Sequence, residues 1–324
     1  MTKVAVLGAG MVAKPAVDYF IDRCGYEVIV TSLYKSEAQR LVRDRPSGTA
    51  MAWSIDQHIR LEEIVRSVDL VLSLIPPNMH LPVAKSCLKH QTTMVTTSYI
   101  SPEIASLDDV CRQRDTLILN EVGEDPGLDN MITKKLIDRI HAEDGKVTAV
   151  NSYGAGLPPM AFNTNPMGYK FSWSPKGMIL AAQTPAVILD KGEVVQVPAD
   201  KLFDAPRHVE LKGLGAFEAY PNRDCRAYLT DFGLSDDVSL FRGILRYPGW
   251  CETMRGLAAL GMLDTSTTNE ISEKSFAEFT ASSIGARSTE NILGETARFL
   301  EVDPHSELIA KLDWLGFFSH RGIE

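Results

Sequence analysis

Short apolar runs alternate with longer amphipathic stretches through the first part of the chain. The apolar runs are rich in Val, Ile and Leu and occupy residues 3–7, 27–30, 69–75, 93–97 and 116–121. Runs without a polar residue at every second position are typical of strands that are buried on both faces of a sheet. Helical stretches lie between them, at residues 11–24, 80–90 and 101–114. The alternation predicts an α/β fold with a Rossmann-type, doubly wound parallel sheet.

The helix that follows the last of these strands marks the predicted start of a second domain. Apolar residues recur at helical spacing between Leu128 and Ile140, which is the pattern of an amphipathic helix. Asp125 has the character of an N-cap, and Pro126 suits the first helical position. We therefore predict a dinucleotide-binding domain over residues 1–127 and a mixed α/β substrate domain over residues 128–324.

Helical and strand patterns are mixed within the second domain. Residues 177–189 suit a helix and residues 190–199 a small hairpin, and the chain is helical from Cys251 onward with a break near residues 265–269. Residues 151–177 instead combine many Gly and Pro residues with large aromatic side chains. Since a long irregular segment in a compact domain is usually functional, we expect its aromatic residues to be packed and the segment to form a wall over the strand ends. A purely structural loop is the alternative.

The overall composition excludes several classes of function. The 324 residues carry a net charge of −9, and 44% of them are hydrophobic, so nucleic-acid and membrane-surface partners are not expected. No stretch approaches the length of a membrane span, and the N-terminal apolar run is too short for a signal peptide. The five cysteines are scattered and odd in number, which predicts free thiols in the cytoplasm and neither disulfides nor a metal site.

A glycine-rich turn follows the first predicted strand. In the sequence GAGMVAKP, Gly8 and Gly10 permit a tight turn and a close approach of the backbone. The N–H groups of Met11 and Val12 begin the next helix, where they would face a pyrophosphate. Strand, glycine turn, helix and strand within about thirty residues predict a dinucleotide site. A tight turn that binds no ligand is the alternative.

The end of the second predicted strand distinguishes NADP from NAD. NAD-binding folds carry an acid there for the ribose 2′-hydroxyl, but no acidic residue follows this strand until Glu37. Ser32 and Lys35 instead suit the 2′-phosphate of NADP. NADP is therefore favoured, NAD is the second choice, and an ordinary solvent-exposed helix start is the alternative.

The ends of the later strands are expected to meet in one cleft, because ligands of doubly wound sheets lie beyond the carboxyl ends of the strands. Further cofactor contacts are accordingly predicted at Leu74, Ile75, Pro76, Thr97, Ser98, Val122 and Gly123. Asp125 lies at the same edge, where a carboxylate can hold or relay a proton for a substrate amine. Helix capping is its alternative role.

Three arginines in the second domain stand beside aromatic and turn residues. They are Arg223, Arg242 and Arg246. Because Arg binds carboxylates through two parallel hydrogen bonds, the group predicts a pocket for a substrate with several carboxylates. The alternative for each is a structural salt bridge.

Seven motifs together resemble the glutamate-forming saccharopine dehydrogenases, also called saccharopine reductases. The motifs are GAGMVAKP, DLVLSLIP, TTSYISP, NEVGEDPGLDNM, GYKFSWSPKG, YPNRD and RGILRYPG, and they occur in family order. The resemblance implies a Rossmann domain with a mixed α/β substrate domain. It also implies NADPH-dependent reduction of the imine formed from glutamate and aminoadipate semialdehyde, and the reverse oxidation.

The resemblance also implies roles for individual residues. Family substrate-site positions fall on Tyr99, Asp125, Gly154, Ala155, Phe171, Ser172 and Arg223. We assign the catalytic role to Asp125, assisted by Tyr99. At Leu33, NADP-using members carry Arg and NAD-using members an acid, and this chain has neither.

Departures from the family pattern concern the substrate and the length of the chain. The family's YCGGLPAPE is YGAGLPPMA here, so Gly154 replaces a pocket cysteine and an acid is lost around Met160. The family's GLDPG is GEDPG, which places Glu124 near the cleft. The family's chain also continues beyond the position of Glu324 and supplies another substrate arginine.

These departures leave three functions and two assemblies open. The chain could act on saccharopine or an amino-acid-derived small molecule related to it, make other opine-like or polyamine products, or be a non-catalytic or split-enzyme subunit. A homodimer and a complementing C-terminal fragment are the two assemblies considered.

Overall fold

The chain forms two compact units in the computed structural model, which describes residues 1–266 and 274–323. One unit comprises Met1–Leu136 together with Ser172–Ser174, and the other comprises Ile137–Phe171 together with Pro175–Glu324. The domain boundary placed after residue 127 stays a prediction. Most of the break predicted near residues 265–269 lies outside the described residues. Across the described part of the chain, every helix is too short or too polar to cross a bilayer.

The first unit is built on a six-stranded parallel sheet. Its strands are β1 (Lys3–Leu7), β2 (Glu27–Ser32), β3 (Gly48–Ala52), β4 (Leu70–Ser73), β5 (Thr93–Thr96) and β6 (Ile118–Leu119). Their order across the sheet is β3-β2-β1-β4-β5-β6, and each neighbouring pair is parallel. This order is that of a Rossmann-type fold, so the predicted doubly wound sheet is confirmed.

Helices connect these strands and cover both faces of the sheet. They are α1 (Ala13–Asp18), α2 (Lys35–Val42), α3 (His58–Arg66), α4 (His80–His90), α5 (Pro102–Ala105) and α6 (Asp108–Gln113), and α7 (Leu128–Ala142) follows β6. The helix predicted over residues 11–24 begins two residues later than predicted, at Ala13, and continues from α1 as one π-helical turn, Tyr19–Arg23. The helix predicted over residues 101–114 is broken in two.

Burial on two faces explains why the strands lack polar alternation. Val4 and Val6 pack on one face of the sheet against Val17 of α1. Ala5 and Leu7 point to the other face, where they join a core that includes residues of α3 and α4. Each side chain of β1 is therefore withdrawn from water, whichever face it points to.

The second unit contains a sheet with both parallel and antiparallel pairs. Its strands are β7 (Ala149–Gly154), β8 (Ala186–Asp190), β9 (Glu193–Val197), β10 (Arg207–Leu211), β11 (Gly215–Pro221) and β12 (Ser239–Arg246). The order is β10-β11-β12-β8-β9, and β7 pairs with β12 in parallel. The described helices are α8 (Pro175–Ala182), α9 (Ala227–Phe232), α10 (Trp250–Ala259), α11 (Phe276–Ile284), α12 (Ile292–Phe299) and α13 (Glu307–Trp314). The predicted mixed α/β class of this domain is confirmed.

The helix predicted over residues 177–189 is only half correct. Helix α8 ends at Ala182, and the residues from Ala186 onward form β8. Pro185 lies between them, and proline in a helix interior removes a hydrogen bond and clashes with the preceding turn. The predicted hairpin is present: Lys191 and Gly192, with φ of 52° and 83°, join β8 to β9. Two successive residues with positive φ suit a tight hairpin turn.

The start of α7 differs from the prediction that Pro126 opens the helix. Gly127 has a φ of +146°, and a Cβ on it would lie 2.4 Å from the Gly123 carbonyl oxygen. Because this non-helical residue separates Pro126 from Leu128, the helix begins at Leu128. The Asp125–Pro126 peptide bond is cis. Asp125 therefore belongs to a tight loop ahead of the helix.

The aromatic residues of segment 151–177 are packed to different degrees. Tyr169 is buried, whereas Phe162 is 65% exposed and Phe171 and Trp173 are partly exposed. The expectation that all of them are packed is wrong for Phe162, which belongs to an isolated 3-10 turn, Met160–Phe162. That the segment forms a wall over the strand ends stays a prediction.

Candidate functional site

Two glycines with different surroundings form the turn between β1 and α1. Gly8 has a φ of +105°, and a Cβ on it would lie 2.9 Å from the carbonyl oxygen of Leu74, just beyond β4. By contrast, no heavy atom lies within 4 Å of the position that a Cβ on Gly10 would take. Gly8 therefore permits close packing of two strand ends, and Gly10 leaves open space where a phosphate can approach the backbone.

Alanine substitutions at these two glycines should have opposite consequences. Gly8→Ala should lower the free energy of unfolding by about 1–3 kcal/mol, because the methyl group requires a strained φ and meets the Leu74 carbonyl. Gly10→Ala should leave stability nearly unchanged but weaken NADPH binding, since the methyl group enters the open space. Urea denaturation and NADPH titration of both variants measure the two effects. Equal stability of the two variants would contradict this assignment.

The carboxyl end of β2 carries the two residues predicted to receive a 2′-phosphate. The Ser32 hydroxyl donates a hydrogen bond to the Glu37 carboxylate in the first turn of α2. Lys35, the first residue of α2, is exposed and forms no ion pair with any described residue. Leu33 is also exposed. Lys35 is thus the available cation at this end, and both phosphate contacts stay predictions.

Backbone hydrogen bonds join the loops that follow β5 and β6. The Val122 N–H donates to the Thr96 carbonyl at 3.1 Å, and the Glu121 N–H donates to the Ser98 carbonyl at 3.0 Å. Because β4, β5 and β6 are neighbours, their carboxyl ends lie along one edge of the sheet. The structure therefore brings together at this edge the positions predicted to contact the cofactor: Leu74, Ile75, Pro76, Thr97, Ser98, Val122 and Gly123.

Tyr99 and Asp125 meet at this edge. The Tyr99 hydroxyl donates a hydrogen bond of 2.7 Å to Asp125 Oδ1, although the two residues are 26 positions apart in the chain. Burial raises the pKa of the neighbouring Glu124, and the charges of Asp125 and Asp129 raise it further. A hydrogen-bonded tyrosine and carboxylate can together hold a proton at a substrate nitrogen.

A buried histidine lies behind these loops. His80, the first residue of α4, is 1% exposed, and its Nδ1 lies 2.9 Å from Ser73 Oγ at the end of β4. Its Nε2 lies 2.9 Å from Ser98 Oγ and 3.2 Å from Thr96 Oγ1. Burial lowers the pKa of His80 from 6.5 to about 4, so the ring is neutral near pH 7.

The lowered pKa of His80 predicts a dependence of stability on pH. The unfolded chain binds a proton at His80 below about pH 6.5, whereas the folded chain does so only near pH 4. The free energy of unfolding should therefore fall as pH decreases from 6.5 to 4, by at most about 3 kcal/mol from this residue. Urea denaturation at several pH values, compared with His80→Gln, isolates the contribution. Identical pH slopes for the two proteins would contradict it.

The second unit contains a nearly buried arginine surrounded by aromatic rings. The Arg246 guanidinium carbon lies 4.9 Å from the ring centroid of Tyr169, 5.1 Å from that of Trp250 and 6.0 Å from that of Tyr220. Its Nη1 donates to the Leu245 carbonyl, and its Nε is buried without a hydrogen-bond partner. Among the described residues, no carboxylate forms an ion pair with Arg246. A buried guanidinium with unused donors suits an incoming carboxylate.

The other two arginines lie elsewhere on the same sheet. Arg242 is buried on β12 with its guanidinium 4.7 Å from the Tyr228 ring centroid. Arg223 is exposed just beyond β11 and has a φ of +58°. Glu218 of β11 pairs with Arg246, and Arg223 follows Glu218 by five residues, beyond the end of β11.

Other predicted substrate residues are divided between the units. Gly154 ends β7 opposite Ile244 of β12, two residues before Arg246, and Ala155 follows it. The Phe171 ring meets the Tyr169 ring edge-on at 5.5 Å. Ser172, in contrast, groups with the first unit. Phe171 and Arg246 thus contact the same ring, that of Tyr169.

Sequence reasoning overlooked one polar residue of the first unit, His80, and assigned no role to another, Asn120, although it placed Asn120 in the predicted cleft. His80 was read only as the start of a helix, and its position directly after the loop that follows β4 was the available signal. Both amide atoms of Asn120, which follows β6, are buried without a hydrogen-bond partner among the described residues. Within residues 1–266 and 274–323, no group of His, Cys, Asp and Glu is arranged to hold a metal ion, and the five cysteines are free.

Two protein-family models match most of the chain. A model described as the saccharopine dehydrogenase NADP binding domain matches residues 4–119, and one described as the saccharopine dehydrogenase C-terminal domain matches residues 123–302. The two matches together span both parts of the chain in the order found in that family.

Named relatives agree with these matches. The saccharopine dehydrogenase (NADP+, L-glutamate-forming) of Schizosaccharomyces pombe is 31% identical, and the match covers 100% of this chain and 74% of that protein. The Saccharomyces cerevisiae protein of the same name is 33% identical, with coverages of 99% and 73%. The alpha-aminoadipic semialdehyde synthase of Arabidopsis thaliana is 35% identical, with coverages of 84% and 28%.

A solved structure shows the same fold. The apo saccharopine dehydrogenase (L-Glu forming) of Saccharomyces cerevisiae superposes with a TM-score of 0.84 at 30% identity. The match covers 100% of this chain and 74% of that chain.

Proposed function

The chain belongs to the saccharopine dehydrogenase family, and from this membership we propose that it is an NADP-dependent oxidoreductase of the saccharopine reductase type. Its reaction reduces the imine formed between a glutamate-like amino acid and an aldehyde such as aminoadipate semialdehyde. The product is a secondary amine, and the reverse reaction oxidises that amine. The observation that carries this proposal is the 2.7 Å hydrogen bond between Tyr99 and Asp125 at the edge where the strand ends meet.

The residues of the first unit fit the proposed cofactor. The open space at Gly10 and the strained turn at Gly8 suit a pyrophosphate, with the N–H groups of Met11 and Val12 facing it. Lys35 supplies a cation for the 2′-phosphate. Bound NADPH supplies the hydride.

Asp125 and Tyr99 manage the proton at the substrate nitrogen. In the reducing direction the imine nitrogen is protonated, and the Asp125 carboxylate stabilises this cation while Tyr99 fixes the carboxylate by its hydrogen bond. In the oxidising direction the same carboxylate accepts the proton from the secondary ammonium. The negative charge of Asp125, fixed by Tyr99, thereby stabilises the substrate nitrogen whenever that nitrogen is positively charged.

The second unit supplies the contacts that recognise the substrate. Arg246 and Arg223 each bind one carboxylate of the substrate. The other proposed substrate contacts are Gly154, Ala155 and Phe171 of the second unit and Ser172, which groups with the first unit. A cytoplasmic location accompanies this proposal, because free thiols suit a reducing compartment. Assembly as a homodimer, or with a complementing fragment, stays a prediction.

The test of this proposal is NADPH oxidation with paired amines and carbonyl compounds. Glutamate with aminoadipate semialdehyde should be turned over, and replacing either partner should identify which carboxylates are required. NADPH titration is performed on the same protein. Absence of NADPH binding would refute the proposal, whereas binding without turnover of any pair would favour a non-catalytic subunit.

A further inference from the structure

His80 is enclosed by hydroxyl groups from two neighbouring strands. The ring is 1% exposed, and its hydrogen-bond partners are the hydroxyl groups of Ser73, Thr96 and Ser98. No charged side chain hydrogen-bonds to the ring among the described residues. The histidine therefore bridges the end of β4 to the end of β5 entirely through neutral hydrogen bonds.

The number of hydroxyls at each nitrogen assigns the ring proton. Two hydroxyls, from Ser98 and Thr96, lie within hydrogen-bond distance of Nε2, whereas one hydroxyl, from Ser73, lies near Nδ1. Thr96 Oγ1 already accepts the Ser98 N–H at 3.3 Å, so its own proton is available to a bare Nε2, whose single lone pair the two hydroxyls share. The arrangement favours a proton on Nδ1, which donates to Ser73, and a bare Nε2 that accepts from Ser98 and Thr96.

This assignment determines what Ser98 can offer to a ligand. The hydroxyl proton of Ser98 is directed to Nε2 of His80, so the remaining lone pairs of its oxygen are acceptors. An amide NH₂ group, such as the carboxamide of a nicotinamide, is a donor and matches them. A carbonyl oxygen is itself an acceptor and therefore cannot donate to these lone pairs.

The contacts of His80 continue to the candidate catalytic pair. Ser98 precedes Tyr99 in the chain, and its carbonyl accepts from the Glu121 N–H. The Thr96 carbonyl accepts from the Val122 N–H, and residues 121–122 lead to Asp125. A displacement of Thr96 or Ser98 would therefore reach both Tyr99 and Asp125.

We propose that His80 is a positioning residue. Through its Nε2 it orients the Ser98 hydroxyl as an acceptor for the cofactor carboxamide, and it keeps Tyr99 and Asp125 in the positions that their hydrogen bond requires. This inference rests on the proposed function. A residue that only filled the core would depend on neither hydrogen bond in particular. The proposed role instead requires the hydrogen bond at Nε2 more than the one at Nδ1.

Two substitutions test the roles of the two ring nitrogens of His80 separately. The amide of Asn reaches about as far as Nδ1 and can retain the bond to Ser73, whereas the amide of Gln is one carbon further and can retain the bonds to Ser98 and Thr96. His80→Asn should lower kcat by about 30-fold and NADPH affinity by about 10-fold, while His80→Gln should change each by less than about 5-fold, since small displacements of reacting groups cost rate.

The matched control is His90→Asn. His90 is the last residue of the same helix, where its ring contacts the Glu62 carboxylate. This variant should retain kcat and NADPH affinity within about twofold, because His90 lies away from the strand ends. Thermal melting of all three variants measures the loss of stability separately from the loss of function.

A measurement without turnover tests the same geometry. Nitrogen-15 NMR of the wild-type protein should show a protonated Nδ1 and a bare Nε2 for His80. The opposite tautomer would overturn the proposal, as would equal losses of NADPH affinity in His80→Asn and His80→Gln. A wild-type protein that shows the expected tautomer and variant affinities but turns over no substrate pair would refute the proposed function and leave the role of His80 supported.

Discussion

Replacing Asp125 with Asn should lower kcat by about 10²- to 10⁴-fold, the range attributed to a positioned proton-transfer group. The substitution preserves the size of the side chain and removes its negative charge. Tyr99 can still donate its 2.7 Å hydrogen bond to the amide oxygen, so the local structure should be retained. NADPH affinity should change little, because the loss concerns the proton at the substrate nitrogen.

Asp109→Asn is the matched control for Asp125→Asn. It removes the same charge from an exposed side chain of α6 that hydrogen-bonds to no described residue, and it should change kcat by less than about threefold, as surface changes usually do. Tyr99→Phe should reduce kcat by an intermediate factor, because it leaves the carboxylate in place but unfixed. Steady-state kinetics and NADPH titration measure these effects. An Asp125→Asn enzyme within threefold of wild type would refute the catalytic assignment.

Replacing Arg246 with Met should lower kcat/KM for the carboxylate-bearing substrate by about 10²- to 10³-fold, because a buried, charged hydrogen-bonded pair typically accounts for 2–5 kcal/mol. The guanidinium lies among three aromatic rings, and its Nε has no partner among the described residues. A substrate carboxylate would satisfy these donors. NADPH affinity should be unaffected, since the predicted cofactor contacts belong to the first unit.

Two further variants refine this test. One asks whether the charge or the planar shape of the guanidinium matters, and the other asks whether loss of an exposed arginine has the same effect. Arg246→Lys retains the charge but loses the planar fork, and it should recover only part of the lost kcat/KM. Arg226→Met removes an exposed arginine that pairs with Asp224 and should leave kcat/KM unchanged. If Arg246→Met lowers the melting temperature without changing KM, the arginine stabilises the fold and does not bind substrate.

Strand and helix positions in the first unit followed closely from the sequence. Strand β1 and helix α4 occupy the predicted residues, because buried apolar runs and helical periodicity are local signals. Strand β3 (Gly48–Ala52) was not identified. Its sequence, GTAMA, lacks branched apolar residues, and most of its side chains are only partly buried, so the signal arises only from pairing with β2.

Candidate site residues were predicted with less uniform success. The topology rule placed the loops after β4, β5 and β6 at one edge, and Tyr99 and Asp125 do meet there. The role of Asp125 as a cap for a helix opened by Pro126 was wrong, because Gly127 requires a non-helical φ. The sequence did not predict the hydrogen bond from Ser32 to Glu37 or the three hydroxyl partners of His80.

The sequence by itself determined the α/β class, the glycine turn after β1 and the family resemblance, since each depends on residues that are close together along the chain. The tertiary structure decided which distant polar groups share a hydrogen bond. It paired Tyr99 with Asp125, enclosed His80 between two strands and surrounded Arg246 with aromatic rings. Such pairings depend on strand order and register, which bring together residues that no local pattern connects.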